Sequence, residues 1–263
     1  MDYLLLICSI FYIVAGAIAT IQLIAPDKPL SHYFFPVISF ALAGHAYWLY
    51  QHIIMLNGQN LPILNVLSLV TFIVSLLSTL ASKRFNTGIL LPVIYIFTVL
   101  NSIAVTYLPS HFITHLETHL QVGIHILFAL LAYSILSIAS LFALQLAYLN
   151  YRLKNHKSPL PKINMPPLMT LEKSLFQIIF IGFILLSCTL LTGLIFVDDI
   201  FAQGKAHKAI LSMIAWVLYG ALLWGHFAKG WRGNFTIYIT IFGSSLLTLA
   251  YFGSRFIHEI ILS

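Results

Sequence analysis

The chain has 263 residues, of which 60% are hydrophobic and only 8% charged, with a formal net charge of +6 at pH 7. A soluble domain carries roughly 25% charged residues, so this composition excludes a soluble globular protein and defines an integral membrane protein. In such a chain the positive excess reports orientation in the bilayer before any partner, and it gives no ground for a nucleic-acid ligand.

A helix needs about 20 apolar residues to cross a bilayer. Runs free of Asp, Glu, Lys and Arg fall near 3–24, 33–56, 61–81, 88–107, 120–149, 174–197, 209–228 and 234–254. The sequence therefore predicts an all-α polytopic membrane protein with eight transmembrane helices, forming one membrane domain over 1–263 with only short loops. The first run contains Ala17-x-Ala19, the pattern of a signal cleavage site. No Lys or Arg precedes it and the apolar run continues past it, so it reads as a retained helix. Cys8 and Cys188 stand alone inside apolar runs, and no C-x-x-C occurs. A thiol-redox pair and a covalently held c-type haem of the chain's own are both excluded, and the two read as small buried hydrophobes.

The second run carries His45 and His52, seven residues apart on one helical face and about 10 Å apart along the axis. His45 falls mid-membrane, where an imidazole needs a partner. It reads as an interhelical hydrogen-bonding residue, the alternative being a polar path through the bundle. Between runs four and five lies "SHFITHLETHLQVGIHILFALLAYS". If helical, this segment would stack His111, His115 and His119 on one face, a pattern for a divalent metal. Only Glu117 is nearby, no Cys joins them and Pro109 breaks the approach, so an interfacial amphipathic segment is the expected reading. His125 sits just inside the fifth run, which is long enough to project beyond the bilayer at one end.

After it, "NHKSPLPKINMPPLMT" has the proline content of an extended connector. "VDDIFAQGKAHKAI" follows the sixth run. There Asp198 and Asp199 read as a solvated helix end, and His207 lies at the mouth of the seventh run. His226 near the far end of that run fits snorkelling toward the interface, and His258 trails the eighth. The odd-numbered loops and their flanks hold ten of the 13 Lys and Arg; Lys205, Lys208 and Arg255 are the rest. The positive-inside rule then puts both termini, the three-histidine segment, His125 and His207 on the extracytoplasmic side. His125 and His207 thus enter the membrane at matching depth on two helices, where two neutral imidazole nitrogens could ligate a haem iron from opposite sides. No nucleophile triad, Gly-rich phosphate loop or zinc-protease motif occurs, which gives no support to a hydrolase or kinase.

The segment from "AHKAILSMIAWVLYGALLWGHFAKGWRGNF" to "AYFGSRFIHEIIL" resembles the C-terminal part of the cytochrome c assembly family, the haem-handling membrane proteins typified by CcsA and CcmC. Within that family the likeness is to the YpjD-type inner-membrane subgroup. It rests on His207-Lys208, Trp216, Gly230–Gly233 ("GWRG") and "AYFGSRF", and on the helix that begins at His125; it is strongest over 121–263. The resemblance implies a bacterial inner-membrane protein with haem b as cofactor, His125 and His207 as axial ligands of its iron, and apocytochrome c or other assembly proteins as partners. The family's Trp-rich outer segment is missing here, since "VDDIFAQGKAHKAI" has no tryptophan. The family's last outer histidine is matched only by His258, about one turn early, and its intramembrane histidine near the end of span seven is replaced by Trp224, with His226 two residues on. A haem-binding accessory role is therefore expected over that of a full ligase. The alternatives are a transporter of small molecules or metal ions using His45 and His52, and a non-catalytic assembly factor for another membrane protein. The resemblance implies no catalytic residue in this chain.

Overall fold

The computed structural model describes residues 3–25, 32–55, 58–82, 89–108, 112–115, 120–154, 167–196 and 206–253. Among them are eight helices, one for each predicted run: α1 (Tyr3–Ile24), α2 (Phe34–Ile53), α3 (Ile63–Ala81), α4 (Leu90–Tyr107), α5 (Leu120–Lys154), α6 (Leu168–Phe196), α7 (Ala206–Lys229) and α8 (Asn234–Thr248), the last continued by a π-helical turn, Leu249–Gly253. Seven of them, α8 counted with its continuation, are long and apolar enough to cross a membrane. The exception is α2, whose 20 residues have the length but include His45, Gln51 and His52. At 35 residues α5 is about 52 Å long, well beyond the roughly 30 Å hydrocarbon core, as its apolar run predicts. The sixth helix starts at Leu168, six residues before the expected boundary at 174. Pro166 and Pro167 precede it, and a helix begins readily after a proline, so Glu172 and Lys173 become helical.

The helices fall into two compact units, α1–α4 with the last turn of α5 from Tyr151, and the rest of α5 with α6–α8. In the first, α1 packs on α2 and α4, and α3 packs on the same two helices, which closes a four-helix ring. The inward face of α3 is rich in small polar residues: Asn65, Ser68, Ser75, Ser78 and Thr79 are buried there alongside Val66, Val70 and Val74. Hydroxyls on that stripe bond across to α4, with Ser75 Oγ 2.8 Å from Thr98 Oγ1 and Thr79 Oγ1 2.8 Å from Tyr95 Oη. Membrane helices gain little from apolar contact with one another, and small hydroxyl side chains both allow close approach and supply such bonds.

A small antiparallel sheet joins the α2–α3 and α4–α5 connections. It comprises β1 (Ile54–Met55), β2 (Gly58–Asn60) and β3 (Ile113–Thr114), with Gln59 opposite both Ile54 and Thr114. Gly58 has φ +122°, and a Cβ there would stand 2.7 Å from the Thr114 carbonyl oxygen, so only glycine fits between the strands. Asn60 closes the assembly by accepting the Phe112 N–H at 2.9 Å. This sheet corrects one expectation, since the second helix stops at Ile53 instead of reaching 56. The chain is extended at Ile113–Thr114, which goes against the helical alternative for the three-histidine segment and leaves the interfacial reading as the expectation.

In the second unit α7 packs between α6 and α8. α5 lies against α6, where a Cβ on Gly182 would meet the Leu136 side chain at 2.5 Å. It reaches the end of α8 through Tyr133, whose hydroxyl is 3.1 Å from Thr248 Oγ1 and whose ring stacks on Tyr251.

Candidate functional site

His125 lies near the start of α5 and Thr189, Thr192 and Gly193 near the end of α6, so antiparallel packing brings them together. His125 Nδ1 is 3.1 Å from the Thr189 carbonyl oxygen and 3.2 Å from Thr192 Oγ1. A carbonyl can only accept, so Nδ1 carries the proton and donates it. The neutral ring then has its lone pair on Nε2. This is the arrangement of a metal-ligating histidine, whose second nitrogen is fixed by a backbone acceptor. The ring lies against Gly193, where a Cβ would be 3.1 Å from His125 Cε1.

His207 is exposed on the first turn of α7. No hydrogen bond or ring contact joins it to His125. Farther along α7, Trp216 donates Nε1–H to Ser187 Oγ at 2.7 Å and stacks on Phe183, tying α7 to α6. Among the described residues no group of three or more His, Cys, Asp or Glu is placed to hold a metal ion. His111, His119, His258, Glu117, Asp198 and Asp199 lie outside the described residues, and His115 is exposed just after β3.

The other intramembrane histidines are packed in place. His45 is fully buried, with Nδ1 3.2 Å from Tyr12 Oη and Nε2 2.9 Å from Ser68 Oγ. Both ring nitrogens are used, which is the interhelical hydrogen-bonding role. His52 stacks on Trp48 at 4.3 Å and donates Nδ1–H to its carbonyl. His226 near the end of α7 points its Nδ1 to the turn beyond the helix and is also packed. Its ring stacks on Phe176 of α6 at 3.4 Å, and its Nδ1–H donates to the Trp231 carbonyl at 3.0 Å.

That carbonyl belongs to the "GWRG" turn. Gly230 (φ +67°) donates its N–H to the His226 carbonyl at 3.1 Å, a left-handed cap that ends α7. The Trp231 indole folds back over Gly225, leaving no room there for a Cβ. Gly233 (φ +73°) donates its N–H to Glu172 Oε1 of α6 at 3.2 Å as α8 begins.

The Thr189–Gly193 wall of the His125 site escaped the sequence reading. Its signal is Thr-x-x-Thr-Gly, which puts two hydroxyls and a gap near the apolar end of α6.

These helices define a multi-pass all-α membrane protein, with the His125 imidazole held between the start of α5 and the end of α6. The model of the family described as "Cytochrome C assembly protein" matches residues 33–262, and the chain belongs to that family. It is 43% identical over 205 residues to the "Inner membrane protein YpjD" of Escherichia coli (strain K12), covering 78% of each chain. It is 25% identical over 96 residues to the "Cytochrome c biogenesis protein CcsA" of Prochlorococcus marinus (strain MIT 9303), covering 36% of this chain and 30% of that one. No solved structure matches it.

Proposed function

We propose that this chain is a haem-binding accessory protein of cytochrome c biogenesis in the bacterial inner membrane. It holds haem b at the extracytoplasmic face through His125 and His207 and presents it to apocytochrome c or to other assembly proteins. The observation that carries the reading is the fixed tautomer of His125, whose Nδ1–H is spent on the Thr189 carbonyl while Nε2 keeps its lone pair. Family membership supports the biogenesis role, and the name of the Escherichia coli relative supports the compartment. The donor set fits the cofactor: a neutral, backbone-anchored imidazole is a good axial ligand, and exposed His207 at the start of α7 is accessible as a second.

When bound, the haem would supply a redox-active iron, which the imidazoles of His125 and His207 would hold. The chain's own residues do the rest. Thr189 and Thr192 orient His125, Gly193 lets its ring approach α6, and Trp216 fastens α7, which carries His207, to α6. The outer loop before His207 has no tryptophan to form an aromatic platform, which favours holding and handing on haem over joining it to a protein thiol.

Purified after haem-replete expression, the protein should show a Soret band with the resolved visible bands of low-spin, six-coordinate iron. A purified protein with no haem absorption overturns the proposal. Orientation follows from the charge distribution, with ten of 13 Lys and Arg on the odd-numbered side. A reporter that works only outside the cytoplasm, fused after Ser263, should be active. A silent fusion alongside an active cytoplasmic one would place His125 and His207 on the wrong side for this role.

A further inference from the structure

Thr192 on α6 does more than satisfy its own helix. Its hydroxyl donates to the Cys188 carbonyl at 2.7 Å, the usual back-bond of a threonine in a membrane helix. A hydroxyl has one proton and two lone pairs, so with the proton spent inside α6 the oxygen is free to accept. It lies 3.2 Å from His125 Nδ1, which also points at the Thr189 carbonyl 3.1 Å away. The His125 N–H therefore rests in a fork of two acceptors one turn apart on α6.

The next residue, Gly193, sets the distance between ring and helix. A Cβ there would stand 3.1 Å from His125 Cε1, 3.5 Å from Nδ1 and 4.0 Å from Nε2. The first of these is tighter than ordinary van der Waals contact, so an added methyl would push the ring by a few tenths of an ångström relative to the fork and shift the line of Nε2 with it. One side of the ring is thus held by hydrogen bonds and another by the lack of a side chain. That combination fixes both the tautomer and the direction of the remaining lone pair.

We infer that Thr192 and Gly193 are positioning residues for His125, Thr192 sharing its Nδ1–H and Gly193 admitting its ring, so that Nε2 is held as a strong axial donor to haem iron. The inference rests on the haem-binding reading above and assigns the parts of the chain that tune it. A hydrogen bond to the far nitrogen raises the basicity of a ligating imidazole, and loss of such outer-shell partners typically weakens metal affinity by roughly 10–100-fold.

The test uses full-length, haem-loaded protein in detergent, with reduction potential, haem affinity and thermal stability measured for wild type, Thr192→Val, Thr192→Ser and Gly193→Ala. Thr192→Val removes one acceptor and makes Nε2 a weaker donor to oxidised iron. Its reduction potential should move to a more positive value while haem stays bound. Thr192→Ser keeps the hydroxyl and should match wild type. Gly193→Ala should weaken haem binding by roughly 10–100-fold and raise the high-spin fraction. A potential unmoved in Thr192→Val, with unchanged affinity in Gly193→Ala, overturns the inference even if both variants lose stability, because helix packing alone would do that. The two variants are read separately, so misfolding of one leaves the other to decide. In haem-free wild type, nitrogen NMR of His125 should show the Nδ1–H tautomer, and an Nε2–H tautomer also overturns the inference. Wild type that never binds haem removes the haem-binding reading itself. Haem-bound wild type with unmoved variants removes only the role of Thr192 and Gly193.

Discussion

Replacing His125 with Gly should convert the bound haem from a low-spin to a high-spin spectrum and weaken its retention at least as much as the roughly 10–100-fold cost of losing an outer-shell partner. The imidazole is the ligand itself, so its loss leaves one axial position of the iron without a protein donor. His207→Gly should give the same spectral change, because two nitrogens are needed for six-coordinate, low-spin iron. Added imidazole should restore much of the low-spin spectrum in either variant by entering the space left by the ring. His45→Ala supplies the contrast: its two nitrogens are engaged with Tyr12 and Ser68 inside the α1–α4 unit, so the haem spectrum should not change. If both glycine variants retain the wild-type spectrum, or if His45→Ala alone abolishes it, the assignment of ligands is wrong.

Much of the fold was legible from residue patterns, less of the candidate site, and the limits have physical causes. Charge-free runs located all eight helices, because a segment crossing hydrocarbon must bury its backbone bonds within itself. The sheet was not legible. β1 and β3 have two residues each, too few for an alternating pattern, and the histidine spacing in "SHFITHLETH" mimics a helical period while Ile113–Thr114 pair with β2. His125 stood out as a polar residue at the edge of an apolar run, but its partners did not. Thr189 and Thr192 look like any threonines that bond back along a helix, and only the packing of α5 on α6 reveals the second use of their oxygens. The stacking partner of His226 was out of reach for a related reason: position alone puts it near an interface, and Phe176, 50 residues earlier in the chain, supplies the surface its ring rests on.

Gly225→Ala should be the most damaging conservative change in the second unit. A methyl at this buried position in α7 would overlap the six-membered ring of Trp231. Overpacking of this kind costs about 1–3 kcal/mol, and relief requires the indole to leave. Its departure would drag away the Trp231 carbonyl that accepts from His226 and loosen the stack of His226 on Phe176. The variant should unfold at a lower temperature in detergent, with red-shifted tryptophan emission as the indole becomes wetter. Trp231→Ala in the same chain should recover part of the loss, since the clash requires both partners. An unchanged melting temperature in Gly225→Ala would mean that the indole does not rest on α7.

The contacts that close the turn between α7 and α8 have a bearing on how the molecule is built. Trp231 reaches back six residues to bond the Gly225 carbonyl, and Gly230 reaches back four to His226. Both link near neighbours in the chain, so little loop-closure entropy opposes them. The corner between the two helices is therefore closed by contacts local in the chain. Phe176 and Glu172 of α6 pack on the edge it offers, meeting the His226 ring and the Gly233 N–H. The α7–α8 turn thus needs no distant segment to set its shape, and α6 adds to a corner that its own neighbours define.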